Sequence, residues 1–247
     1  MTINRAAWSK YIGSLRKLND AATEKMLAFI TRVGWVPGND TRILIDYAYS
    51  LSTKYGEAAA ALACEMYDAV ALASGKILPA AAPAETATYA EVARAINGTA
   101  KTNNYEIMSS AVGRQVKMAG VDTTMQNAIR DHAEWAWIPS GDSCAFCEML
   151  ASNGWLPASK AQMDGDHAEH IHANCDCTFA IRFNSDTDVQ GYNPSVYKRI
   201  YDDADGITWE QKVNAIRREQ YAENKDKINE QKREAYAKRQ EREEEEE

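Results

Sequence analysis

The chain has 247 residues and a formal net charge of −8, with 45% hydrophobic and 26% charged residues, which is the balance of a soluble globular protein. It contains no run of about 18 apolar residues, which excludes a membrane-spanning helix at the level of sequence. The N-terminal stretch MTINRAAWSK lacks the apolar core and the cleavage site of a signal peptide, so we expect folding in a reducing cytoplasm.

Two long helices are predicted for the first third of the chain. Residues 2–33 and 41–74 both place apolar side chains at alternating steps of three and four, which forms one stripe along a helix. Gly34 suits a left-handed C-cap, and Asn39 or Asp40 suits the following N-cap. The short turn between the helices predicts an antiparallel hairpin as the first domain, residues 1–78.

The rest of the chain divides into three further regions. Pro79 and Pro83 interrupt the helical pattern, and periodicity returns at 86–96, 104–119 and 123–132, so residues 79–133 are predicted to form a linker and helices. Strands are predicted in EWAWIPSGD and CTFAIRF, which places a small α+β module at residues 134–193. The high content of charged residues in 194–247 predicts a helical tail that is partly disordered. The predicted fold class is therefore mainly α, with a long antiparallel helical hairpin, a small α+β module and a charged C-terminal helix.

Four of the five cysteines lie inside the predicted module, in a stretch of 34 residues. A Cys-x-x-Cys pair supplies two zinc ligands from one turn, and the HANCDC segment offers three more candidates at suitable spacing. The five candidates for four ligand positions are Cys144, Cys147, His172, Cys175 and Cys177. His167 and His170 are weaker candidates. We interpret this zinc-knot-like cluster as a structural Zn²⁺ site that stabilises a module with little apolar surface to bury.

Other kinds of site fit the cluster less well. His167-x-Glu169 resembles half of a zinc deaminase signature, but the order of the two halves is reversed and no proline precedes Cys144. A thioredoxin-like redox pair requires a βαβ surround, and a disulfide requires an oxidising medium. The remaining cysteine, Cys64, is predicted to be a small buried hydrophobic side chain. Because no Ser-His-Asp arrangement and no phosphate-binding Gly-rich loop occurs either, we expect that the chain is not an enzyme.

The tail repeats a short motif and carries a local excess of positive charge. Arg-Glu-x-Tyr-Ala begins at Arg218 and again at Arg233, and the stretch from Lys212 to Arg239 holds nine basic and five acidic residues. Such a stretch, with Tyr221 and Tyr236, suits contacts to DNA phosphates. The interleaved acids and the terminal run of glutamates favour a solvated helix instead.

Four segments of the sequence resemble one known family. They are YGEAAAALACEMYDAVALASG, WIPSGDSCAFCEMLASNGW, HANCDCTFAIRF and VQGYNPSVYKRIYDDA. Together they resemble the minor capsid, or minor head, proteins of tailed phages of Gram-positive bacteria, which are related to the Mu F-like head morphogenesis proteins. The resemblance spans residues from about 5 to about 205, and it assigns Cys144, Cys147, His172, Cys175 and Cys177 to the family's cluster.

The resemblance implies a phage virion structural protein. It implies action in procapsid assembly at the portal vertex, with effects on DNA packaging or ejection. The implied partners are the portal protein and the major capsid or scaffold protein, and no membrane is involved. The basic stretch Lys212–Arg239, which lies beyond the resemblance, offers packaged DNA as a further partner. The implied location is the phage head, with the host cytoplasm during assembly. Two other classes stay open, a zinc-stabilised nucleic-acid-binding protein and a zinc hydrolase or toxin domain.

Overall fold

A computed structural model describes residues 2–140, 143–163 and 177–245. In chain order the elements are β1 (Thr2–Ile3), α1 (Arg5–Val33), α2 (Arg42–Ala73), α3 (Tyr89–Ala100), α4 (Tyr105–Arg130), β2 (Glu134–Ile138), α5 (Ala145–Ser152), β3 (Leu156–Pro157), α6 (Lys160–Met163), β4 (Thr178–Arg182), β5 (Asp188–Val189), α7 (Pro194–Asp203) and α8 (Trp209–Glu245). The prediction of a mainly helical chain with a small α+β part is confirmed. None of the described helices is both long enough and apolar enough to cross a membrane.

Helices α1 and α2 form the predicted antiparallel pair. Tyr11, near the start of α1, shares a core cluster with Tyr67 near the end of α2, and Met26 shares another with Leu44. Gly34 ends α1 with φ of 59°, the left-handed conformation that a glycine adopts without strain. The N-cap of α2 is Thr41, one residue after the predicted Asp40, and its side chain makes no capping bond. Asp40 instead precedes the cap, where its Oδ1 accepts from the Arg42 amide over 2.9 Å.

Helix α4 is one continuous helix and packs against both α1 and α2. The prediction of two helices, 104–119 and 123–132, is therefore wrong. The segment between them contains Gly120, which is costly inside a helix when nothing compensates. A Cβ on Gly120 would lie 3.5 Å from the Ala59 carbonyl oxygen, an ordinary contact distance, and the packing of α4 against α1 and α2 keeps the helix continuous through this residue. Tertiary packing outweighs local propensity at this position.

The segment 76–88 is an extended arm between α2 and α3, as the prolines predict. Its backbone bonds to side chains of the long helices, so it is held against the helical core. The Ala81 amide donates to Asp68 Oδ1 over 2.8 Å, and the Ala84 amide donates to Thr123 Oγ1 over 2.9 Å. Thr88 then begins α3 through a reciprocal capping box with Glu91.

The two predicted strands pair with each other, and two further pairings were not predicted. Strands β2 and β4 are antiparallel, with Trp137 opposite Phe179, and β3 adds to the other side of β2. Strand β1 pairs in parallel with β5 through Thr2–Asp188 and Ile3–Val189. This last pairing ties the start of the chain to the region just after the sheet, because Ile3 and Val189 are both buried in the same cluster.

Candidate functional site

The three described cysteines of the predicted cluster lie around one end of the β2–β4 pair. Ile138 and Thr178 face each other at the last register position, and Cys177 directly precedes Thr178. Cys177 is buried, and its Sγ accepts a hydrogen bond from the Ser140 amide over 3.4 Å. The segment that follows β2 is thereby joined to the residue that starts β4.

The Cys-x-x-Cys pair is positioned by the start of α5. Cys144 is the N-cap residue of this helix and has extended backbone angles, and Cys147 lies in the first turn. Cys147 is buried, whereas Cys144 is half-buried. The first turn of a helix presents unpaired amides and the positive end of the helix dipole, which favours negative charge on side chains placed there.

All three sulfur-bearing side chains pack in a single apolar cluster. Cys147 and Cys177 are core members, Cys144 packs against it, and the aromatic rings of Phe146 and Phe179 belong to it as well. All three are present as thiols, as is Cys64, which is half-buried on α2 rather than fully buried as predicted. Cys144, Cys147 and Cys177 thus belong to one apolar cluster, although they come from two separate segments of the chain.

The described residues do not by themselves build a metal site. Across 2–140, 143–163 and 177–245, no three His, Cys, Asp or Glu side chains form a group that could hold an ion. The predicted ligands His172 and Cys175, and the weaker candidates His167 and His170, lie outside the described residues. Zinc coordination at this cluster therefore stays a prediction.

The donor types that are present fit zinc. Thiolates are its preferred structural ligands, and a buried setting with a backbone amide directed at sulfur is typical of their surroundings. Cys144, Cys147 and Cys177 do not converge on a common centre within the described residues, so a zinc ion held by them would require a closer arrangement of the three sulfurs and a further ligand from HANCDC. Such an ion would supply a crosslink between α5 and β4.

Glu148 lies one residue after the Cys-x-x-Cys pair and is half-buried. Burial is the main reason why the pKa of this carboxyl is raised, and a hydrogen bond from Ser143 opposes the shift. The Ser143 hydroxyl donates to Glu148 Oε1 over 3.1 Å, and the Ser143 carbonyl accepts from Gln220 Nε2 over 3.2 Å. Ser143 thus links the cysteine segment to the tail helix.

The first turns of α8 belong to the folded body rather than to a separate tail. Val213 and Ile216 are buried in the same cluster as the cysteines, and the rings of Phe146 and Trp209 meet edge to face, 6.5 Å apart. The Lys212 ammonium donates to the carbonyl oxygens of Tyr201, Asp202 and Ala204 over 2.9, 2.9 and 3.0 Å. Lys212 therefore caps the C-terminus of α7, a role that its place in a basic run did not indicate.

Beyond Ile216, α8 first runs beside the cysteine segment, where Gln220 bonds to the Ser143 carbonyl and where Tyr221 and Ile228 line a groove together with Cys144. Most of its described side chains from Arg217 to Ala237 are exposed, including Tyr221 and Tyr236. At 1.5 Å per residue the whole helix is about 55 Å long. A helix that is polar on all sides is suited to contact with a partner rather than to packing in a core.

Comparison with known proteins identifies a family. No curated protein and no solved structure matches the chain. The model of the VG15 protein family matches residues 2–204, from β1 to the end of α7. The match covers most of the chain, so the chain belongs to the VG15 protein family, a family of viral (phage) proteins.

Proposed function

We propose that this chain is a structural protein of the phage virion, a minor capsid protein that acts in head morphogenesis. It joins the procapsid at the portal vertex and contacts the portal protein, and it influences DNA packaging or ejection. The observation that carries the proposal is the membership of residues 2–204 in a phage family. The four segments that resemble Mu F-like minor head proteins lie within that same range.

The architecture is suited to such a role. Helices α1, α2 and α4 share a large buried core, which gives a rigid body. Helix α8 is fastened to that body through Val213, Ile216 and Gln220, and most of its described side chains after Ile216 are exposed. A rigid body with a projecting helix can join two components of an assembly, because each end presents a separate surface.

We further propose that the role is non-enzymatic and that Cys144, Cys147, Cys177 and a ligand from HANCDC hold a structural zinc ion. Cys144, Cys147 and Cys177 lie next to the base of α8, in the cluster that contains Ile216. An ion there would stiffen the junction between the sheet, α5 and the projecting helix. The zinc therefore serves the assembly role by fixing where α8 points.

The proposal is tested in the phage and with purified proteins. A phage that lacks the gene should still form procapsids but should package DNA poorly or lose infectivity, and the wild-type gene supplied in trans should restore both. The tagged chain should co-purify with the portal protein, and a version that ends at Ile216 serves as the variant without the projecting helix. Normal packaging without the gene, together with no recovery of the portal protein, would contradict the proposal.

A further inference from the structure

A groove of about 800 Å³ runs between α2 and the arm 76–88. We call it the α2 groove. Its floor consists of Ala60, Ala61 and Cys64 on α2 and of Ala81, Ala84 and Ala87 in the arm. Small side chains on both walls leave room for larger side chains from outside. Tyr49 and Tyr89 close one end, where their rings meet edge to face at 5.4 Å.

The α2 groove carries charge of one sign. Its charged lining residues within the described part of the chain are Glu57, Glu65 and Glu85, all of them exposed. None of the three is joined to a cation in the ion pairs of the described residues. An apolar floor bordered by unneutralised carboxylates fits a cationic segment with apolar side chains between its charges.

The opposite pattern occurs on α8. The charges that are interleaved along its sequence separate in part when the segment is helical, because successive residues are about 100° apart around the axis, while Lys227 and Arg233 stay beside the acidic residues. One stripe, which we call the basic stripe, follows steps of three and four and consists of Arg218, Tyr221, Lys225, Ile228 and Lys232. The acidic stripe lies nearly opposite and consists of Glu219, Glu223, Asp226, Glu230 and Glu234.

The basic stripe and the α2 groove match in spacing as well as in charge. Arg218 and Lys225 are seven residues apart, which is about 10.5 Å along a helix, and Glu57 and Glu65 are eight apart, about 12 Å. Between the two cations lies Tyr221, with 46% of its surface exposed. Between the two carboxylates lie the alanines of the groove floor. Each surface thus has the order charge, apolar, charge.

We propose that the α2 groove of one copy of this chain receives the basic stripe of α8 from a second copy. Within one copy no described residue of α8 lines the groove, so the proposed contact is one between molecules. Because the two surfaces differ, the contact is heterologous, and its repetition produces a ring if the rotation closes. The inference goes beyond the virion role proposed above, and its test uses the purified chain alone.

Nucleic acid is the competing partner for the basic stripe. Three features favour the second copy: the chain carries a net charge of −8, the acidic stripe lies on the other side of the same helix, and the terminal residues are glutamates. All three repel a polyanion, whereas they leave a local contact between Arg218 or Lys225 and a carboxylate intact.

The test combines charge-reversal substitutions on the two surfaces with sedimentation velocity, which measures self-association of the chain. The full-length chain should self-associate as its concentration rises, and more strongly at low salt than at high salt. Glu57→Lys with Glu65→Lys should weaken association by about tenfold or more, and so should Arg218→Glu with Lys225→Glu. The four changes together should restore it. Glu219→Lys with Asp226→Lys alters the acidic stripe at the same spacing and should leave association unchanged.

Circular dichroism spectra of all variants establish that each remains helical, since the exchanged positions are exposed. The proposal is overturned if the unmodified chain is monomeric throughout, or if the fourfold variant fails to regain association. It is also overturned if Arg218→Glu with Lys225→Glu abolishes binding to a labelled DNA duplex while self-association is unaffected. In each of these cases co-purification with the portal protein remains a separate result.

Discussion

The Ser140 amide points at Cys177 Sγ and donates a hydrogen bond to it over 3.4 Å. This contact crosses from the segment after β2 to the residue before β4, two segments that the sequence separates by 37 positions. Amides directed at sulfur are the outer contacts that orient metal-bound thiolates. The cysteine cluster therefore has one feature of a structural zinc site besides the spacing of its residues.

The first prediction concerns the metal content of that cluster. Purified protein should contain about one zinc ion per chain, since structural zinc sites hold their ion tightly. Cys147→Ser should lose the ion, because a buried hydroxyl is a poor substitute for thiolate. Cys64→Ser, which changes a half-buried cysteine outside the cluster, should keep it. Elemental analysis gives the readout. Wild-type protein that is isolated without zinc, and whose unfolding temperature is the same with and without chelator, would contradict the prediction.

The second prediction concerns how the arm 76–88 is held. Asn127 is buried on α4, and its amide makes two bonds to the Ala82 backbone: Oδ1 accepts from the amide over 3.0 Å, and Nδ2 donates to the carbonyl over 2.8 Å. Asn127→Ala should lower the free energy of unfolding by about 1–3 kcal/mol, because it removes both bonds and leaves a void. The measurements are denaturant titration and the rate of proteolysis within the arm.

Gln126→Ala is the matched control for that experiment. Gln126 also donates to the Ala82 carbonyl oxygen, over 2.7 Å, but from a position where water can replace it. Its loss should cost less than about 1 kcal/mol. Equal effects of the two substitutions would show that Asn127 does not hold the arm.

The parts of the fold that were predictable are those with strong local signals. Gly34 marks the end of α1 by its left-handed conformation, and the alternating residues around Trp137 and Phe179 mark β2 and β4. The continuity of α4 through Gly120 was not predictable, because it depends on packing against α1 and α2, whose residues lie far away in sequence. Short pairs such as β1–β5 also lack a local signal, since two residues cannot show a period.

The candidate site was predictable only as a set of residue types. The spacing of Cys144 and Cys147 indicated a shared turn, and both lie at the start of α5. Nothing in the sequence indicated that Lys212 caps α7 or that Ile216 packs beside the cysteines, because both depend on where α8 begins relative to the module. The separation of charges on α8, by contrast, can be read from the sequence once the helix is accepted.

The third prediction concerns a close contact between α1 and α4. A Cβ at Gly113 would overlap the side chains of Asn19 and Thr23, and Asn19 is itself buried. Gly113→Ala should therefore lower the free energy of unfolding by about 1–3 kcal/mol. Gly13→Ala on α1 meets no atom within 4 Å and should instead raise it by about 0.5–1 kcal/mol, because alanine restricts the unfolded chain. The same direction for both substitutions, in thermal or denaturant unfolding, would contradict the contact.

A second groove, of about 630 Å³, lies between α3, α4 and the arm and contains Asp122. Burial raises the pKa of this carboxyl to about 6, the negative charge of Glu91 adds to the shift, and Arg114 opposes it. Glu85 and Arg94 also line this groove. No salt bridge of Asp122 occurs among the ion pairs of the described residues.

The fourth prediction follows from the sign of that shift. The pKa of Asp122 in the folded chain is raised above the unfolded value of 3.8, so between these two values the folded chain holds a proton that the unfolded chain has lost. The contribution of Asp122 to the free energy of unfolding is therefore fully present below about pH 4. It is lost as pH rises through about 6, by up to about 3 kcal/mol. Asp122→Asn should therefore be more stable than wild type at pH 7 and equal to it near pH 4, whereas Asp20→Asn, at an exposed position, should differ by less than about 1 kcal/mol throughout. Urea titrations at both pH values decide the matter, and a constant difference for Asp122→Asn would refute the raised pKa.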